Sequence, residues 1–95
     1  IFVEVLKDIK AGMAPISGER ALAMIRDLKA APILKGVRGK KGIDINGYAE
    51  NIQRISRLLE LAPEITELDI NPLLASGDEF IAVDMRICIE KQLKI

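Results

Sequence analysis

The sequence predicts an α+β domain, a mostly antiparallel sheet with two helices packed on one face, in the order β-α-(β)-α-β-β. Three observations lead there. Apolar residues recur at helical spacing in two stretches, first Ala21, Ile25 and Leu28, then Ile45, Ala49, Ile52 and Leu59. Toward the C-terminal end, "ITELDINPLL" and "EFIAVDMRICI" are rich in residues that favour extended chain. Between these two lies "ASGDE", whose central glycine suits a two-residue hairpin turn.

Taken in order, "IFVEVLK" (residues 1–7) reads as a strand buried on both faces. The chain opens inside that strand without an initiator Met, as a piece of a longer protein would. "DIKAGMAPIS" reads as a loop, and a helix is predicted over residues 18–31, with Leu22 and Met24 widening its apolar stripe and Pro32 stopping it. Residues 33–37 suit a short strand, soon broken by Gly36, Gly39 and Gly42. Asp44 is a good N-cap for a second helix running to about Ala62, with Tyr48 and Ile55 completing its buried stripe. No internal repeat or linker interrupts this order, so residues 1–95 form one domain.

Composition removes several functions. The 14 basic and 14 acidic residues balance, and three aromatics offer no stacking platform, so neither nucleic acid nor a membrane surface is an expected partner. No apolar run approaches bilayer-spanning length and no signal peptide is visible. The chain has no histidine, which removes common zinc sites, Ser-His-Asp triads and imidazole acid–base chemistry. Cys88 is the lone cysteine; it cannot form an intrachain disulfide, it suits a reducing, cytoplasmic setting, and it reads as a small packing residue.

The hairpin carries the most chemistry. If Gly77 and Asp78 are the turn residues, Ser76 faces Glu79, and counting outward sets Leu74 opposite Ile81, Asn71 opposite Asp84, and Asp69 opposite Arg86. One face then holds Leu68, Ile70, Leu74, Ile81, Val83, Met85 and Ile87, the expected core face. On the other, Glu67, Asp69, Asn71 and Leu73 lie against Phe80, Ala82, Asp84 and Arg86. A one-residue bulge beside Pro72 would break this register. Amide and carboxylate oxygens are hard ligands, so a metal on this face should be magnesium or manganese, with calcium as an alternative, and Asn71 with Asp84 would suffice for magnesium. A solvated sheet face with a surface Asp69–Arg86 pair, worth under about 1 kcal/mol, fits the same pattern.

Read together, "IFVEVLKD", "AP", "LKGVRG", a helix opening after "ID", and "PEITELDINPLL" followed by "AVDMRI" resemble the final subdomain of the ATP-grasp module in NDP-forming acyl-CoA synthetases. These include the acetate–CoA ligases (ADP-forming), relatives of succinyl-CoA synthetase. The resemblance implies the C-terminal half of an ATP-grasp fold and a nucleotide partner, ATP or ADP with Mg²⁺. It implies that Asn71 and Asp84 hold the metal, that Asp69 is an outer ligand or supports one, and that Arg38 of the "GVRG" loop meets phosphate. It also implies an activity joining a carboxylic acid to CoA, with the other ATP-grasp half and the CoA-binding domains or subunits as partners. That chemistry runs through acyl phosphate and phosphohistidine intermediates; a chain without histidine would hold metal and phosphates while other domains complete catalysis.

Two departures stand out. Gly12 occupies a position where related sequences carry a basic residue, and Arg86 occupies one where many ATP-grasp enzymes place a further oxygen ligand. Two other readings share the pattern: a stand-alone α+β interaction domain that binds no nucleotide, and part of another ATP-grasp ligase.

Overall fold

A computed structural model describes residues 7–37, 39 and 41–91. The expected strand over residues 1–7 lies, apart from Lys7, outside them. The first helix, α1 (Gly18–Arg26), begins at Ser17, whose side chain accepts a hydrogen bond from the Arg20 N–H and so satisfies one of the orphan donors of the first turn. Glu19 near its start and Arg26 near its end complement the helix dipole.

α1 stops five residues short of the predicted end, and the reason lies outside the helix. Both oxygens of the Asp8 carboxylate accept backbone N–H groups, from Lys29 at 2.6 Å and Ala30 at 2.8 Å. Those two donors point to Asp8, 21 residues or more away in sequence, and a second short helix, α2 (Ala31–Lys35), starts directly after them. Ala30, at the N-cap, makes no side-chain cap; the Asp8 carboxylate instead holds the N–H of Ala30 itself and that of the residue before it. Pro32 therefore opens a helix instead of ending one, as proline can in a first turn, where its missing N–H is not needed. The strand expected over residues 33–37 is corrected accordingly: most of it is α2. Chain leaving α2 folds back on it, with the Ile43 N–H donating to the Leu34 carbonyl at 2.8 Å. Gly42 makes this return possible, because a Cβ there would collide with the backbone of Leu34 and Lys35.

The long helix α3 (Ile45–Leu61) starts where expected, with the Asp44 carboxylate accepting the Gly47 N–H at 3.0 Å. It packs on α1 around Ala21, Ile25 and Ala49, with Tyr48 and Ile52 closing the margin. Ser56, also buried, accepts the N–H of Ile16 at 2.8 Å and ties the loop before α1 to the middle of α3.

Four strands follow: β1 (Ile65–Ile70), β2 (Leu73–Ser76), β3 (Glu79–Ala82) and β4 (Met85–Ile89). All pairing is antiparallel, β1 with β4 and β2 with β3. The arrangement is thus α+β, two short two-stranded sheets laid end to end in one long hairpin. The Asp44 N–H donates to the Gly77 carbonyl at 2.9 Å, pinning the hairpin tip to the start of α3.

The face assignment needs correction. Leu73, Phe80 and Ala82, expected on the outer side, line the cavities beneath α3 together with Ala75, and the Phe80 ring lies 6.0 Å from that of Tyr48. Ile70, from the opposite face by alternation, lines one of these cavities too. Two-stranded ribbons twist strongly, and along this ribbon the twist turns first one face and then the other toward the helix. Meanwhile Leu74, Ile81, Val83, Met85 and Ile87, all placed in the core by pattern, are exposed, Ile81 at 58%. The helices reach the tip end of the ladder and, in the outer sheet, Ile70.

Candidate metal centre on the hairpin ladder

Counting from the turn predicts the register that the structure adopts. Ser76 pairs with Glu79 and Leu74 with Ile81 near the tip; Ile70 pairs with Met85, Asp69 with Arg86 and Glu67 with Cys88 further out. No bulge intervenes at Pro72; the irregularity in the ladder falls instead between Ile65 and Glu67. Between the two sheets, the Asn71 N–H donates to the Asp84 carbonyl at 3.1 Å and the Val83 N–H donates to the Pro72 carbonyl at 3.0 Å. A regular antiparallel ladder alternates doubly bonded rungs with unbonded ones. Here two consecutive rungs share one bond each, partly because Pro72 has no N–H to give. The pairing survives, although the regular strand geometry does not.

Positions 71 and 84 are consequently cross-strand neighbours, and directly opposed residues share a face. Asn71, Asp69 and Asp84 are all exposed. Neither aspartate is committed to an ion pair among the described residues; the two ion pairs there, Arg54–Glu50 and Arg57–Glu60, are both on α3. One amide oxygen and two carboxylates, open to solvent and free of cationic partners, are a chemically suitable donor set for a hard divalent cation. Among the described residues no group of three or more carboxylate, imidazole or thiol side chains could enclose a metal, which excludes a dedicated cage of such ligands there. A cation at this face would have to complete its shell with water or ligand oxygens, the habit of magnesium.

Beside these positions lies an open cavity of about 400 Å³, lined by Glu67, Leu68, Asp69, Arg86 and Cys88. Cys88 is exposed, contrary to the packing role expected of it, and its thiol donates to the Glu67 carboxylate at 3.8 Å. The same count from the turn pairs Cys88 with Glu67, so the sequence carried the signal. Arg38 lies outside the described residues.

The model of a known domain family, the ATP-grasp domain, matches residues 1–89. The chain belongs to the ATP-grasp family. Its sequence is similar to the beta subunit of acetate–CoA ligase (ADP-forming) I from Pyrococcus furiosus, 49% identical over 89 residues that make up 94% of this chain and 38% of that protein. It is also similar to the 4-hydroxybutyrate–CoA ligase (ADP-forming) of Nitrosopumilus maritimus, 44% identical over 92% of this chain and 13% of that protein. Among solved structures it resembles acetyl-coenzyme A synthetase 1 of Ca. Korarchaeum cryptofilum in complex with coenzyme A and Mg-AMPPCP, with a TM-score of 0.85 and 34% identity, covering 95% of this chain and 42% of that one. In that complex a phosphohistidine segment points towards the nucleotide-binding site. The ATP-grasp chain described here spans less than half the length of each of these proteins.

Proposed function

We propose that this ATP-grasp chain is the metal- and phosphate-holding half of the nucleotide site in an ADP-forming acyl-CoA synthetase, which converts a carboxylic acid, CoA and ATP into acyl-CoA, ADP and phosphate. The observation that carries the reading is the register: it makes Asn71 and Asp84 cross-strand neighbours on an exposed ladder, with Asp69 two residues along. The amide oxygen of Asn71 and the carboxylate of Asp84 would hold Mg²⁺, and Asp69 would orient a bound water or serve as an outer ligand. When bound there, magnesium would supply positive charge that offsets the charge developing during phosphoryl transfer. The chain's own contribution is to fix two oxygens on adjoining strands of a hairpin pinned at its tip to α3.

The adenine pocket and the phosphate-gripping lysine belong, on this reading, to a preceding half-domain, and the phosphohistidine to another segment, since this chain has no histidine. Other partners are the CoA-binding domains or subunits. A cytoplasmic location accords with a single cysteine, and no helix among the described residues is long and apolar enough to cross a membrane. The stripe of exposed apolar residues favours one other reading, a free-standing interaction module. Upstream coding sequence separates the two: a glycine-rich, lysine-bearing ATP-grasp half supports the synthetase, and a stop codon just before Ile1 supports the module.

In the full-length protein, Asp84→Asn should lower ATP-dependent acyl-CoA formation by about a hundredfold or more, because metal charge stabilisation contributes several kcal/mol and each 1.36 kcal/mol is tenfold. The unfolding midpoint should hold, because Asp84 is exposed and joins no ion pair among the described residues. Wild-type turnover in that variant would remove the metal assignment.

A further inference from the structure

We infer that Arg86 is a phosphate-contacting residue of this same face, gripping the nucleotide's phosphate chain about one rung pair away from the Asn71–Asp84 position. The inference rests on the reading above and extends it to a residue with a different chemistry.

The placement comes from the ladder. Arg86, in β4, pairs directly with Asp69 and lies two residues along the chain from Asp84, which sits just before that strand. Two residues of extended chain span about 7 Å and return the side chain to the same face. Arg86 therefore borders the open cavity of about 400 Å³ together with Asp69, Glu67 and Cys88.

Its electrostatic state is the second observation. A guanidinium directly across a strand pair from a carboxylate would normally close an ion pair. This one does not: among the described residues the ion pairs within 4 Å are both on α3, and Arg86 is exposed. A charged fork with five donors is thus left facing a cavity whose other charged walls, Glu67 and Asp69, are anionic. Without a cation, Glu67, Asp69 and Asp84 would repel a polyphosphate. Magnesium at one end of the row offsets part of that repulsion, and Arg86 supplies fixed positive charge further along. Planar bidentate donors match phosphate oxygens.

The test uses the full-length protein and calorimetric binding of Mg-AMPPCP, with adenosine as a probe that keeps base and ribose but has no phosphate. Arg86→Gln should raise the Kd for Mg-AMPPCP about tenfold to a hundredfold, the range expected for losing charge-assisted hydrogen bonds. Adenosine should bind as in the wild type. Arg86→Lys, which keeps the charge without the fork, should recover part of the loss. An unchanged Kd for Mg-AMPPCP in Arg86→Gln would overturn the inference, as would an equal weakening of adenosine, which would mean a general structural effect. Asp84→Asn is measured in parallel. If Arg86→Gln weakens binding while Asp84→Asn does not, the metal reading fails and the phosphate contact stands; the reverse result rejects Arg86 alone.

Discussion

The helix pair and the hairpin are built in opposite ways. Every described residue that is buried, Ala21, Ile25, Ala31, Ala49 and Ser56, belongs to a helix, and no described residue of the four strands is buried. The helices hold the core, with local caps from Ser17 and Asp44 and a distant tie from Asp8; the hairpin holds the oxygens and the arginine. Its tip is fastened at Gly77 and Phe80, whereas in the outer sheet Ile70 lines a cavity beneath α3 and every residue of β4 is exposed. The lesson is a division of labour: side chains that could meet a ligand sit where little packing depends on them. Substitutions in the two halves should then separate stability from binding.

The largest stability effect should come from the centre of the helix pair. Ile25 is 2% exposed and lies between Ala21 and Ala49. Ile25→Ala should cost about 2–4 kcal/mol, combining lost transfer energy with an unfilled cavity, read as a drop in the urea midpoint followed by helical circular dichroism. A loss below about 1 kcal/mol would mean that the helix pair is not where the fold is held.

A smaller effect tests the tie between loop and helix. Ser56→Ala removes the hydroxyl that accepts the Ile16 N–H and leaves that part-buried donor unpaired. The expected cost is about 1–2 kcal/mol in the same urea experiment. Ser56→Thr keeps the acceptor and should recover much of it unless the added methyl overpacks the site.

How much of this could be read beforehand depended on how local each cause was. Asp44 caps the residue three positions on, and a serine, glycine and aspartate decide the hairpin register within a few residues, so both were legible. From that register came the pairing of Asn71 with Asp84 and of Asp69 with Arg86. Pro32 misled because the reason for a new helix there is a carboxylate more than 20 residues earlier, and no window centred on the proline contains Asp8. The face assignment misled for a related reason. Alternation says which side chains lie together, but not which group meets a helix, and a twisting ribbon need not present one face along its whole length.

The smallest expected effect is the sharpest check on the comparison. Leu74, Ile81 and Ile87 alternate as core residues would, yet are 55%, 58% and 44% exposed. If the hairpin contributes little to stability in this chain, Ile81→Thr and Ile87→Thr should each shift its unfolding free energy by no more than about 0.5 kcal/mol, since threonine keeps the β-branch and the strand preference. A buried isoleucine could not lose its methyls and gain a hydroxyl so lightly; a cost of about 2 kcal/mol or more would be expected. Such a loss in the 95-residue chain would show that something packs on this face, and the separation between a stabilising helix pair and a presenting hairpin would have to be withdrawn. If the two substitutions are silent, the alternation along β3 and β4 reflects a burial that this chain alone does not provide.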